Sequence, residues 1–372
     1  MSLQKNFIKK VVNYSIAYNS KFKQITAINK RLSIVKQRGD YKKFPINDET
    51  PEIRFYPKFK ASDMKWLDFY YSVNQNPDSK YISGPIYNHI ESVLNDRLLT
   101  YGIKEKNFYD SFINGIFTPN TLVRKIFGHY YDSNYNLLDS EKVINTVNLL
   151  NKIVIKPSVV SGGGSSIFLF EKIEGVMQSK NTKFDQGFLK NYNKDFVLQE
   201  FIEQHQFFKQ FNPTSNNTIR VFLYRSVTND KIHILHTLLR VGGKDNFIDH
   251  DQYGGTVINI CPENTLGDHA IDINGKKFKI INNINLDKIH EVPSMEDVRK
   301  MAINIARQIY YARIIALDFS VDRELKPLLL EVNCWRNGIN QYQMHNGSLF
   351  KEYSAEIFDY CKEKEMKYTI LF

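Results

Sequence analysis

The chain has 372 residues, 42% hydrophobic and 13% aromatic, enough apolar material for a packed core and enough length for two or three lobes. Its net charge of +10 is carried by residues 1–43, where eleven lysines and arginines stand against Asp40 alone, so the rest of the chain is neutral overall. No run of about 18 apolar residues suits a membrane span, Met1–Lys5 opens no apolar leader, and Cys261, Cys334 and Cys361, widely spaced with no CxxC, suggest neither a disulfide framework nor a zinc site. A cytoplasmic protein is expected.

Residues 1–105 read as a mainly helical region, basic over 1–43. Leu3, Phe7, Val11, Tyr14 and Tyr18 recur on one helical face. Two readings stay open there: a basic amphipathic helix on the anionic, cytoplasmic face of a membrane, or a helix that packs on the protein and leaves its lysines in water. Nucleic acid is not the expected partner. Ser62-Asp63 is a candidate cap for a following helix, and Tyr87–Leu99 has helical periodicity. From about residue 150 the texture changes to short β-branched and aromatic runs: Ile153–Ile155, Ile167–Phe170, Thr218–Arg225, Ile232–Val241, Gly255–Ile260 and Ile314–Val321. Glu296–Tyr311 predicts one long helix. The expected class is α+β rather than a regular βαβ alternation.

Three segments carry chemistry. In the first, a strand ends at Lys156 and is followed by Ser161, Gly162, Gly163, Gly164, Ser165 and Ser166. Glycines let successive backbone N–H groups converge on phosphate oxygens, because no Cβ blocks the approach. No Gly-Lys-[Ser/Thr] closes the loop, so it is not a Walker A motif; a plain flexible turn is the simpler reading. In the second, Ile314–Val321 and Leu328–Asn333 fold as a hairpin that brings Asp318 near Glu331, with Glu331 and Asn333 on one face. Carboxylate and amide oxygens of this kind suit Mg²⁺, and both acids interrupt apolar strands where an unpaired carboxylate is expensive. The third is Gln199-Glu200-Phe201-Ile202-Glu203, either a purine-holding connection or an ordinary strand end with solvated acids.

In this order, together with Asn212–Val221 and Gly254–Val257, these segments resemble the ATP-grasp superfamily, and within it the ATP-grasp proteins associated with sugar transfer and polysaccharide biosynthesis. The resemblance runs from about residue 90 to 345, and its most specific part is Leu330-Glu331-Val332-Asn333 with Asp318 upstream. It implies an ATP-grasp fold of two α+β subdomains, over 106–200 with the glycine loop and over 201–372 with the metal site. It implies ATP and Mg²⁺: Lys156 on the α-phosphate and adenine, the 161–166 loop over the β- and γ-phosphates, Gln199 to Ile202 around the adenine and Glu203 toward the ribose. Lys106 is implied as a second phosphate lysine, with Lys104 and the Arg124-Lys125 pair as competitors. Asp318, Glu331 and Asn333 would hold Mg²⁺. Arg220 would face the γ-phosphate or acyl phosphate, and Arg240 the acceptor carboxylate or tetrahedral intermediate. Thr218 stands where many relatives have an acid, which leaves the number of cations open, and the first 90 residues do not read as the usual pre-domain.

The implied activity is ATP-dependent carboxylate–amine ligation through an acyl phosphate. Its partners would be a small-molecule, glycan or peptide carboxylate and an amine acceptor. A kinase acting on a hydroxyl, and a basic-tailed binding protein with a degenerate nucleotide site, are the alternatives.

Overall fold

The computed structural model describes residues 23–48, 50–51, 55, 60–77, 80–159, 166–243, 254–288 and 290–364. The apolar face expected over Leu3–Tyr18 lies outside them. A helix over 23–37 buries Ile28, Leu32 and Val35, one stripe at i, i+4, i+7, while Lys23, Lys30 and Lys36 stay exposed. Lys60–Asn74 forms the next helix; it begins ahead of Ser62 and Asp63, so these fall within its first turn instead of capping it. Helix Gly84–Leu94 is capped by the Ser83 side chain and has Pro85 in its first turn, where a missing N–H is no loss.

These N-terminal helices do not stand apart. Ile28, Leu32, Leu67, Phe69, Tyr70 and Val73 share one apolar cluster with Val257, Ile271 and Met344 from far along the chain. No helix among the described residues is long and apolar enough to cross a membrane.

The first sheet comprises β1 (Thr121–Ile126), β2 (His129–Tyr131), β3 (Leu137–Leu138), β4 (Lys152–Pro157), β5 (Phe168–Ile173), β6 (Val176–Ser179), β7 (Thr182–Lys183) and β8 (Phe196–Glu200). Their order is β3-β2-β1-β8-β4-β5-β6-β7. Val123, Ile153, Ile155, Phe170 and Leu198 bury its inner face against Val143, Val147 and Leu189 of helices Ser140–Asn148 and Gln186–Asn191.

The second sheet holds β9 (Thr218–Arg225), β10 (Ile232–Val241), β11 (Thr256–Ile260), β12 (Leu266–Asp272) and β13 (Lys277–Phe278). After the separate ribbon β14 (Ile280–Ile281) and β15 (Ile284–Asn285) it is completed by β16 (Ile314–Val321) and β17 (Pro327–Asn333). The order is β13-β12-β11-β10-β9-β16-β17. Every strand pairing in the two sheets is antiparallel among the described residues, which is why the sequence shows no βαβ alternation. Helix Met295–Gln308 lays Val298, Ala302, Ile305 and Ala306 on Ile219, Val221, Leu317 and Phe319. It stops at Gln308, three residues short of the sequence expectation, so that Tyr310 and Tyr311 are exposed. The other face of this sheet carries the site.

Candidate active site

Side-chain alternation puts Thr218, Arg220, Phe222 and Tyr224 on the face of β9 turned away from helix Met295–Gln308. Register extends this row sideways: Arg220 lies opposite Leu238 and Asp318, Phe222 opposite His236 and Ala316, and Thr218 opposite Arg240. On the far side Asp318 pairs with Glu331 and Ala316 with Asn333. One end of the row is apolar, with Phe222, Tyr224, Leu238, Ile314 and Ala316 packed under helices Gly84–Leu94 and Ser354–Cys361. The other end, Arg220, Arg240, Asp318, Glu331 and Asn333, is charged and polar.

The charges there are paired. Arg220 Nε and Nη2 donate to Oδ1 and Oδ2 of Asp318, each at 2.6 Å, and Arg240 Nη1 lies 3.7 Å from Oδ2. Asn333 Nδ2 donates to the same oxygen at 3.3 Å. Burial pushes the Asp318 carboxyl upward, but the adjoining guanidinium of Arg220, with Arg240 and Lys106 beyond it, outweighs burial and holds it below the usual carboxylate range. Glu331 follows the same pattern: burial and the Asp318 charge act upward, Lys106 acts downward, and the net direction is down.

Lys106 joins the two sheets. It opens a short 3-10 turn, Lys106–Phe108, whose cap is the Glu105 carboxylate accepting from Asn107 N. The other Glu105 oxygen accepts from Ser158 Oγ at 2.9 Å, and Lys106 N donates to Ser158 O at 2.8 Å. The turn is thereby fastened to the end of β4, one residue past Pro157. From it Lys106 Nζ reaches Glu331 Oε1 at 3.1 Å and Val159 O at 3.4 Å. Lys156, on β4, is half-buried; burial lowers its ammonium pKa to about 7, the nearby Lys106 charge acts in the same direction and Glu331 opposes both. A lysine desolvated beside another lysine favours an anionic ligand.

Of the competing cations, Arg124 and Lys125 are engaged elsewhere. Arg124 bonds Asp110 and the Asn107 carbonyl, and Lys125 Nζ donates to Tyr192 O at 2.8 Å. Lys104 is half-buried and senses Glu91, Glu331 and Cys334. The Gln199 side chain is buried under β1, donating to Pro119 O and Thr121 Oγ1. Phe201 and Ile202 stay half-buried beyond the end of β8, with Lys152 Nζ 5.2 Å from the Phe201 ring. Glu200 N donates to Asn120 O, fixing the strand end. Glu203 Oε2 lies 3.3 Å from Lys209 Nζ and 3.5 Å from Arg323 Nη2, in a surface ion network. Ser166 is left-handed, with φ 66°, and its carbonyl accepts from Tyr192 Oη at 2.7 Å. Ser161, Gly162, Gly163, Gly164 and Ser165 lie outside the described residues.

Sequence reasoning passed over Glu91. This buried acid accepts from Arg336 N at 2.9 Å, Asn337 N at 3.2 Å and Tyr87 Oη at 2.8 Å, and so holds the turn that follows β17. Burial raises its pKa, against the opposing pull of those donors. A single acid on the apolar stripe of His89-Ile90-Glu91-Ser92-Val93-Leu94 was the signal. Cys334, next to Asn333, is wholly buried, and burial pushes its thiol up to about 12, so it supplies no thiolate.

For a metal, the donor set is two carboxylates and one amide; no group of three or more His, Cys, Asp or Glu side chains that could hold a metal occurs among the described residues. Hard oxygen donors few in number suit Mg²⁺, which takes the rest of its shell from phosphates and water. Asp318, Glu331 and Asn333 therefore fit in kind, with Arg220 and Lys106 each already on one of the carboxylates.

Lysines on the end of one antiparallel sheet, facing an acid pair on another across a connecting turn, make a two-sheet grip of the ATP-grasp kind. The chain matches the family model for sugar-transfer associated ATP-grasp proteins over residues 88–357, most of its length, and it belongs to that family. No curated protein matches it. Among solved structures it is similar to N5-carboxyaminoimidazole synthetase from Staphylococcus aureus complexed with ADP, at 12% identity and TM-score 0.37 over 67% of this chain and 48% of that one. It is also similar to D-alanine–D-alanine ligase from Bacillus anthracis, at 13% identity and TM-score 0.39 over 73% of each chain. A third is the ATP-grasp ligase PsnB complexed with minimal precursor, at 11% identity and TM-score 0.36, covering 72% of this chain and 60% of that one. The match thus spans about half of the first of these relatives.

Proposed function

We propose that the protein is an ATP-dependent carboxylate–amine ligase working through an acyl phosphate, in the assembly of a surface polysaccharide or a related glycan or peptide. The observation that carries this reading is the Lys106–Glu331 contact at 3.1 Å, which ties the lysine side of the cleft to the acid pair. Phosphoryl transfer asks for positioning and charge neutralisation rather than a protein nucleophile. That is what Lys106, Lys156, Arg220 and Arg240 supply, beside a cysteine too buried to react.

In the proposed sequence Lys156 and Lys106 bind the nucleotide phosphates, with the adenine against Phe201 and Ile202. Asp318, Glu331 and Asn333 would hold Mg²⁺, which when bound neutralises phosphate charge. A substrate carboxylate oxygen attacks the γ-phosphorus in line; the P–O bond to ADP breaks and an acyl phosphate forms. Arg220 faces the transferring phosphoryl group and Arg240 the acyl carbon. The amine then attacks that carbon, phosphate departs, and the nitrogen sheds a proton to solvent.

The test is ADP release from Mg·ATP over a panel of uronates, amino acids and short peptides, with hydroxylamine present. Hydroxamate formed in step with ADP supports the ligase; ADP released only with hydroxyl substrates, and no hydroxamate, favours the kinase alternative. The proposal includes a cytoplasmic setting with residues 1–43 touching anionic lipid. Sedimentation with phosphatidylserine vesicles, lost when Lys5, Lys9, Lys10 and Lys21 are replaced by Gln, tests that part.

A further inference from the structure

Helix Asn340–Asn346 packs against helix Lys60–Asn74 and strands β11 and β12. It carries Tyr342, whose ring is 1% exposed and lies 4.8 Å from Phe222 and 5.2 Å from His236, nearly parallel to both. Phe222 is two residues from Arg220 on the same face of β9, and His236 is its register partner on β10, four residues from Arg240. The ring therefore sits beside the row that bears the two arginines, and Arg220, Asp318 and Arg240 are the charges its hydroxyl senses. The hydroxyl is buried and has no hydrogen-bond partner among the described residues. A buried O–H left without a partner is costly and is ordinarily satisfied.

The placement is built, not incidental. Tyr70 Oη donates to Asn340 Oδ1 at 2.7 Å. Gln343 bonds both the N–H and the carbonyl of Ile82, at 2.9 and 3.0 Å. Asn74 Nδ2 donates to His345 O at 2.9 Å. The underlying ring is held as well, since His236 Nε2 meets Leu349 O at 2.8 Å. Helix Lys60–Asn74, whose role the sequence leaves blank, and Ile82 ahead of helix Gly84–Leu94 thus brace the helix that bears Tyr342.

We propose that Tyr342 is a third donor of the anion site that Arg220 and Arg240 form: its hydroxyl donates to an oxygen of the phosphoryl or acyl-phosphate group. This rests on the nucleotide reading above. A neutral phenol adds direction and no charge at a place that already has two guanidiniums, and it engages only when an anion is present.

The test compares Tyr342→Phe with wild type by calorimetric titration of Mg·ADP, alone and with fluoroaluminate, which mimics the transferring phosphoryl group. We expect Mg·ADP to bind both proteins within twofold. The extra affinity conferred by fluoroaluminate should fall roughly tenfold or more in Tyr342→Phe, the effect of one hydrogen bond to a charged group. The unliganded variant should melt at or above the wild-type temperature, because no satisfied bond is removed. Equal fluoroaluminate gain in the two proteins overturns the inference, as does a clear fall in the variant's unliganded melting temperature, which would make the hydroxyl structural. Wild type that binds Mg·ADP without any fluoroaluminate gain also overturns it and leaves the nucleotide reading standing. Wild type that does not bind Mg·ADP removes that reading and the inference together.

Discussion

Replacing Arg220 with Gln tests the electrostatic frame of the site. Arg220 and Asp318 are paired side-on through two bonds of 2.6 Å, with side-chain exposures of 17% and 6%. Removing one member of a buried pair leaves the other charge uncompensated and costs about 3–5 kcal/mol. Here Arg240 at 3.7 Å and Asn333 at 3.3 Å still attend Asp318, which lowers the expected loss to roughly 2–3 kcal/mol. Asp318→Asn alone should lose a similar amount, since it leaves two guanidiniums facing each other. The double variant should lose about 2 kcal/mol less than the sum of the two. Urea unfolding at pH 7.5 of the four proteins measures the cycle directly. Additive losses, with no coupling beyond about 0.5 kcal/mol, would refute the claim that Arg220 is held by Asp318.

Lys106→Met should weaken Mg·ATP binding about tenfold or more by removing a charged phosphate donor, while Arg124→Met should lower stability and leave nucleotide affinity nearly unchanged; parallel titrations separate the two. Lys156, at about 7 in the folded protein, binds fewer protons than it does in the unfolded chain, where its pKa is about 10.4. Unliganded stability should therefore rise with pH from about 7 toward 10, and Lys156→Met should flatten that slope in urea titrations across the range. Nucleotide phosphates favour the ammonium, so Mg·ATP binding at pH 8 should take up close to one proton, read by calorimetry in buffers of different ionisation enthalpy. Iodoacetamide at pH 8 should label Cys261, which is part-exposed, and spare Cys334 and Cys361 until the chain unfolds; equal labelling of all three in the native protein would contradict their burial.

The parts of the site written in local chemistry were legible. Asp318 and Glu331 break apolar strands, and the hairpin Ile314–Asn333 pairs them in the register that alternation requires. Lys106 stood out less: Lys104, Arg124 and Lys125 looked equivalent in sequence, and only the docking of Glu105 on Ser158 decides which reaches Glu331. Glu203 sits in an acid–aromatic run, and its ion partners Lys209 and Arg323 come from a later helix and a later hairpin that the run itself does not announce. Tyr342 could not be read as a site residue, and Glu91 showed only as a lone acid on a helix, because the partners that give each its role lie more than a hundred residues away. A mainly helical N-terminal region was legible, but its composition does not say what its helices pack against; Val257, Ile271 and Met344 supply that answer only in the folded chain.

In the proposed function Lys106, Lys156, Arg220, Asp318, Glu331 and Asn333 grip Mg·ATP. The most direct test is thermal unfolding of the full chain with and without Mg·ATP, beside Glu331→Gln. Ligand at about 100 times its dissociation constant adds roughly 2.7 kcal/mol, a rise of several degrees. Wild type should show that rise and lose it when Mg²⁺ is chelated, and Glu331→Gln should not show it. A wild-type melting temperature that Mg·ATP leaves unmoved, or an equal rise in Glu331→Gln, would contradict that function.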